Sequence, residues 1–226
     1  LDPIQNMQYL LESKGIVVTG FYNIDDKIDA FSQKVFMKDS KLIYIIALAL
    51  GKKPKERLRF DMAHELGHII LHNWDESTED LSRDEFNIIE RQANIFASSF
   101  MLPKESFGEM VRPYATNIEF YRALKKKWGV SMQAMMYRAR QLEIISGNQF
   151  QYMMRQVSQR GWRKHEPGDV EGTLNSTLFQ GAIDVLFDGG YLSARALIRA
   201  FNDAGIYLKT CEMENLMGLL PGTLEV

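Results

Sequence analysis

Between Phe86 and Phe100 the apolar residues Phe86, Ile89, Ala93, Phe96, Ala97 and Phe100 recur every three or four positions. That is the period of a helix with one buried stripe. Ser82-Arg83-Asp84-Glu85 marks its start as a capping box, in which Ser82 and Glu85 each satisfy the other's free backbone N–H, and Pro103 forces a stop near Leu102. An earlier helix is predicted from Pro54 to about Asn73. Proline suits its first turn because the N–H it lacks would be unpaired there anyway. Ahead of these, Ile4 to Leu11 reads as a short amphipathic helix and the β-branched Ile16 to Thr19 as a strand. Ile28 to Met37, the polar turn Lys38 to Lys41 and the apolar Leu42 to Leu48 give a hairpin signal. The remainder reads almost entirely as helix. One helix runs near Ile118 to Lys127 after Pro113, Gly129-Val130-Ser131 forms a turn plus cap, and another helix follows to about Ile145. Gly147, Gly161 and Pro167-Gly168 break the chain before a last group of helices in residues 170–220.

Composition narrows the class without choosing a function. The chain has 226 residues, a net charge of -2 and 46% hydrophobic residues, which excludes disorder, collagen and disulfide scaffolds and allows a core without staples. Its longest apolar run is the nine residues Leu42 to Leu50, against about 20 needed to span a bilayer, so no membrane partner is expected. A lone cysteine, Cys211, cannot form an internal bridge, and a cytoplasmic location is the default expectation. Leu1 in place of Met points to a trimmed chain with a preceding domain missing. Charge is uneven: residues 121–165 carry 10 basic and 1 acidic residue, whereas 166–226 carry 3 and 9. Such a cationic block is either a solvated helical face or an electrostatic footprint for nucleic acid or an acidic protein.

The candidate chemistry is concentrated on the helix after Pro54. Three of the four histidines, His64, His68 and His72, lie on it. At about 100° per residue, His64 and His68 are about 40° apart around the axis and one turn apart along it, so both imidazoles can reach one ion, with Glu65 on the flank. His64-Glu65-Leu66-Gly67-His68 is an H-E-x-x-H arrangement, two zinc ligands with a glutamate general base. Neutral imidazole suits borderline-soft zinc, and two histidines plus one further ligand leave an open position where water is activated. Glu65 is the candidate base for that water. The bland alternative is a chance pentapeptide on a surface helix, but the flanking Ile69, Ile70 and Leu71 make the setting apolar, where an ionic cluster without a metal is costly. His72 lies about 12 Å along the axis from His64, too far for easy shared coordination, and is expected to support or cap at most, or to be a plain helix-end histidine. A third ligand is expected from the next helix. Spacing alone leaves Glu90 in competition with Asp84 and Glu85.

The run Arg59-Phe60-Asp61-Met62-Ala63-His64-Glu65-Leu66-Gly67-His68-Ile69-Ile70-Leu71-His72 resembles the ImmA/IrrE family of zinc-dependent metallopeptidases of bacteria and their mobile elements. So does Glu90-Arg91-Gln92-Ala93-Asn94-Ile95-Phe96-Ala97, which leads to Met101-Leu102-Pro103. The resemblance implies one zinc ion held by His64, His68 and Glu90, since the family's E-x-x-A-N-x-F-A signature puts its third ligand on the leading glutamate. It also implies site-specific peptide hydrolysis of a helix-turn-helix transcriptional repressor, which releases genes under its control. Members often carry an N-terminal helix-turn-helix DNA-binding domain, so the chain is expected to be either one half of such a protein or a stand-alone partner.

The expected fold is α+β: a small, zincin-like antiparallel sheet packed on the metal-binding helices, then a helix-turn-helix-like middle and a helical C-terminal region. The expected domains are 1–106 for the metallopeptidase, 107–147 for the middle unit and 148–226 for the C-terminal region. An edge strand in such a fold can pair with a substrate backbone, and Leu42 to Leu48 is the nearest candidate. In the middle unit Arg138, Arg140 and Lys125 to Lys127 would meet phosphates if it bound DNA, while Met132, Met135 and Met136 read as core filling. The alternative to a peptidase is a DNA- or protein-binding regulatory module with a structural or catalytically silent metal. His165 and Tyr114 are the candidates for an oxyanion donor, and neither is assigned.

Overall fold

The computed structural model describes residues 2–22, 28–37, 40–51, 53–72, 81–174 and 177–225. The expected helix end at Asn73 and the turn residues Lys38 and Asp39 lie outside them. The chain is α+β, a three-stranded sheet and ten α-helices among the described residues. It divides into two compact units, Leu1–Met7 with Lys52–Gly172 and Gln8–Gly51 with Thr173–Val226.

The second unit holds most of helix α1 (Met7–Ser13) and the strands β1 (Ile16–Tyr22), β2 (Ala30–Phe36) and β3 (Leu42–Leu50), in the order β1-β3-β2. β2 and β3 pair antiparallel, Ala30 opposite Leu48 and Phe36 opposite Leu42, as the hairpin signal predicts. β1 instead joins the other side of β3 in parallel, Ile16 opposite Tyr44, so the sheet is mixed and not antiparallel. The nine-residue apolar run explains the arrangement. Side chains of Ile46, Ala47, Leu48 and Ala49 are all buried although successive residues point to opposite faces, which only a central strand covered on both sides tolerates. The same unit contains α8 (Thr177–Asp188), α9 (Ala194–Asp203) and α10 (Thr210–Met217), built around Ile183, Met213, Met217, Leu219 and Leu224. Helix α10 lies along β1, where the Thr19 hydroxyl donates to the Leu216 carbonyl.

The first unit carries α2 (Lys55–Leu71), α3 (Arg83–Met101), α4 (Lys104–Val111), α5 (Ile118–Trp128), α6 (Met132–Gln141) and α7 (Gly147–Gln159). Ser82 and Glu85 form the expected capping box. Two helices are not announced by the sequence pattern. α4 starts directly behind Pro103 and buries Phe107 and Val111, one turn apart; α7 begins at Gly147, a breaker by residue type, because Ser146 and Gln149 make a second capping box in front of it. The rings of Phe107 and Trp128 meet edge to face with centroids 5.6 Å apart, and Arg138 donates through Nε to the Leu102 carbonyl at 3.0 Å. Those contacts join α3, α4, α5 and α6 in one core.

The α5–α6 pair is a helical hairpin with Gly129 in the left-handed conformation at φ 59 and Ser131 capping α6. Met132, Met135 and Met136 are buried in it, as expected. Not all of its cations face solvent. Lys125 is 3% exposed and pairs with Asp169 and with Glu166 at 3.3 Å, while Arg138 is turned inward to Leu102. A buried cation needs a partner at hand, and these two have theirs within the unit, so neither is available to phosphates. Lys126, Lys127 and Arg140 are exposed.

Gly129 is held chiefly by its backbone conformation. Its φ is unfavourable for an L side chain, and a Cβ placed there would also make the Arg59 guanidinium, which donates to the Ile4 carbonyl, shift aside. Gly129→Ala is expected to lower stability by at least about 1–2 kcal/mol, read as a drop in urea midpoint with an unchanged slope.

Candidate metal centre

Two helices supply the site, and their close approach decides its geometry. Gly67 on α2 faces α3 so tightly that a Cβ there would stand 3.1 Å from Phe96, 3.2 Å from the Cα of Ala93 and 3.3 Å from its carbonyl oxygen. Ala93 and Ala97 are fully buried on the opposing face. Small residues on both sides let the backbones come close enough for side chains of α2 and α3 to share a point. The apolar stripe of α3 is correspondingly shorter than expected, since Phe86 is 45% exposed. It lies one turn before Glu90.

At that shared point are His64, His68 and Glu90. His64 Nε2 lies 3.3 Å from one carboxylate oxygen of Glu90, His68 Nε2 lies 3.3 Å from the other, and the two Nε2 atoms are 3.0 Å apart. For ligands about 2.0–2.1 Å from a tetrahedral ion, neighbouring donor atoms are separated by roughly 3.3 Å. The three donors therefore fit a small tetrahedral cation on distance as well as on chemistry. Glu90 is the carboxylate the structure brings here; Glu85 is engaged with Ser82 and Asp84 is exposed in the first turn of α3. Among the described residues no fourth His, Cys, Asp or Glu joins the group.

Charge in the site follows from this crowding. Burial opposes a proton on His64, but the hydrogen bond and negative charge of Glu90 outweigh it and raise the imidazole above its ordinary value. Hydrogen bonds from His64 and His68 hold the Glu90 carboxyl far below the usual carboxylate range. A proton or a metal ion thus offsets the same negative charge, and the two compete.

Around the donors, Glu65 is buried at 6% exposure, next to His64 on α2. His72, which caps α2, places Nδ1 2.9 Å from Nδ1 of His68 and Nε2 3.1 Å from the side-chain oxygen of Gln92. Burial lowers the pKa of His72, which favours the neutral ring. It stands at the C-terminal end of α2, outside the donor group. Gln92 is invisible to sequence reasoning, because a neutral amide carries no ligand signal. Asn94 donates to the Glu90 carbonyl within α3 at 2.8 Å. His165 and Tyr114 are both exposed, the latter with its ring against Phe120, and neither belongs to the donor group.

Residues 12–140, more than half of the chain, match the model of the IrrE N-terminal-like domain, Peptidase M78. The chain belongs to that family. The match takes in both metal helices and most of the α5–α6 hairpin. Comparison with curated proteins yields no match. Among solved structures, a Mycobacterium tuberculosis transcriptional regulator is similar at 20% identity and a TM-score of 0.40; the shared region covers 58% of this chain and 39% of that one. As a member of a metal-dependent peptidase family, the chain presents a donor set that can hold a metal ion. No helix of the described residues is long and apolar enough to cross a membrane.

Two outcomes are expected. Metal affinity falls as pH drops through the raised His64 value, because the ion must displace that proton; zinc competition against a chromogenic chelator should lose at least tenfold per pH unit below it. Gly67→Ala gains up to about 1 kcal/mol of helix propensity yet pushes α2 from α3, so it should weaken zinc binding while leaving the thermal midpoint nearly unchanged.

Proposed function

We propose that this chain is a zinc-dependent metalloendopeptidase that cuts a helix-turn-helix transcriptional repressor and so derepresses mobile-element or stress genes. The observation that carries the hydrolytic reading is the three-donor site, with donor atoms 3.0–3.3 Å apart and a buried glutamate at the next position of α2. Three protein ligands leave room for water, whereas a structural zinc closes its shell with four. Two imidazoles and a carboxylate favour zinc over harder ions.

Zinc bound to His64, His68 and Glu90 would supply Lewis acidity that polarises water and the scissile carbonyl. Glu65 accepts a proton from the attacking water and returns it to the departing nitrogen, so that one water is consumed and the C–N bond is replaced by a carboxylate and an amine. Glu90 keeps its negative charge throughout, since its carboxyl is the most strongly acidified group of the site. A repressor as substrate is supported by the resemblance of the H-E-x-x-H and E-x-x-A-N-x-F-A segments to ImmA/IrrE proteins, and a cytoplasmic location would follow from such a substrate.

The test is Glu65→Gln. Incubated with the repressor encoded beside its gene, the wild-type protein should release two fragments and the variant none, with cleavage down by at least about a thousandfold, while both retain one zinc ion and the same circular dichroism spectrum. Full activity in the variant, or an intact repressor with the zinc-loaded wild type, overturns the proposal.

A further inference from the structure

A chain of hydrogen bonds leads away from the metal centre and returns to the helix that supplies Glu90. Gln92 Oε1, His72 Nε2, His72 Nδ1 and His68 Nδ1 are linked by separations of 3.1 Å and 2.9 Å. Each link admits only certain proton positions. With a cation on Nε2 of His68, the hydrogen of that neutral ring sits on Nδ1 and is donated to Nδ1 of His72. A His72 that accepts there carries its own hydrogen on Nε2, directed at the side-chain oxygen of Gln92, which accepts it.

We infer that His72 and Gln92 are positioning residues that fix the tautomer and ring orientation of His68 for metal binding. His72 cannot share the ion, being on the far nitrogen of His68, and acts through it. The arrangement differs from the direct carboxylate or carbonyl partner that a ligating histidine commonly has. Here a second imidazole passes the acceptor character of an amide on α3 back to a ligand on α2. A consequence is that the relay, like the donor triad, spans both helices. Any loss of their packing removes a ligand and its orienting partner together.

The inference rests on the metal reading of the site but not on peptide hydrolysis, so zinc affinity is the readout. His72→Asn keeps an acceptor oxygen close to the place of Nδ1, His72→Phe keeps the ring without an acceptor, and Gln92→Leu removes the outer acceptor at an exposed position where folding is not at risk. Zinc dissociation constants from chelator competition should rise about 10–100-fold for His72→Phe, stay within about threefold of wild type for His72→Asn, and rise by an intermediate factor for Gln92→Leu. In the zinc-loaded wild type, nitrogen-15 NMR of the imidazoles should show His72 as the Nε2–H tautomer and an exchange-protected Nδ1–H on His68, lost in His72→Phe. Wild-type affinity in both His72→Phe and Gln92→Leu, equal losses in His72→Phe and His72→Asn, or an Nδ1–H tautomer on His72 would each overturn the relay. Absence of zinc binding in the wild type would overturn the metal reading itself.

Discussion

The site depends on how closely two helices approach. Gly67 and Ala93 remove the side-chain bulk that would hold α2 and α3 apart, and only then does Glu90 meet two imidazoles that α2 has already aligned. Packing and electrostatics are coupled at this point. Burying two histidines beside a carboxylate costs solvation, and the mutual attraction of the three offsets it only while the separation stays near hydrogen-bond length. The backbone contact at Gly67 supplies that separation.

A site poised in this way has an unusual relation to protons. Against the cost of burial, the imidazole of His64 is pushed up by Glu90, and the carboxyl of Glu90 is pushed down by hydrogen bonds from both histidines. A cation held by these donors would have to displace the proton they share. The same frame keeps Glu65 buried at the adjacent position, next to one of the three candidate donors.

The first unit wraps this frame in a helical core that the cation-rich segment helps to build. Lys125 pairs with Glu166 and Asp169, and Glu166 also accepts from the N–H groups of Met132 and Gln133 at the start of α6. Charge that looks like a surface footprint in the sequence is therefore partly structural cement between α5, α6 and the segment after α7. An acidic side chain at a helix N-terminus and a cation beside it satisfy both the helix dipole and the buried ammonium.

Sequence alone determined the features that near neighbours along the chain impose on one another. Helical period placed His64 and His68 on one face, Ser82 and Glu85 announced the start of α3, and the alternation of strand and turn signals gave β2 and β3. Each is set by contacts within about four residues, where backbone geometry leaves few choices. The α+β class and the family are legible in those local patterns. Spacing left Glu90 in competition with Asp84 and Glu85, and the resemblance of the E-x-x-A-N-x-F-A segment singled it out. Tertiary structure decided the rest: that Gln92 stands beside His72, that β1 enters the sheet in parallel, that Phe86 is left exposed, and that Lys125 and Arg138 turn inward. None of these is a property of spacing. Each depends on which face of one element meets another across many residues of chain, and a side chain's role at such a meeting is fixed by what stands opposite it.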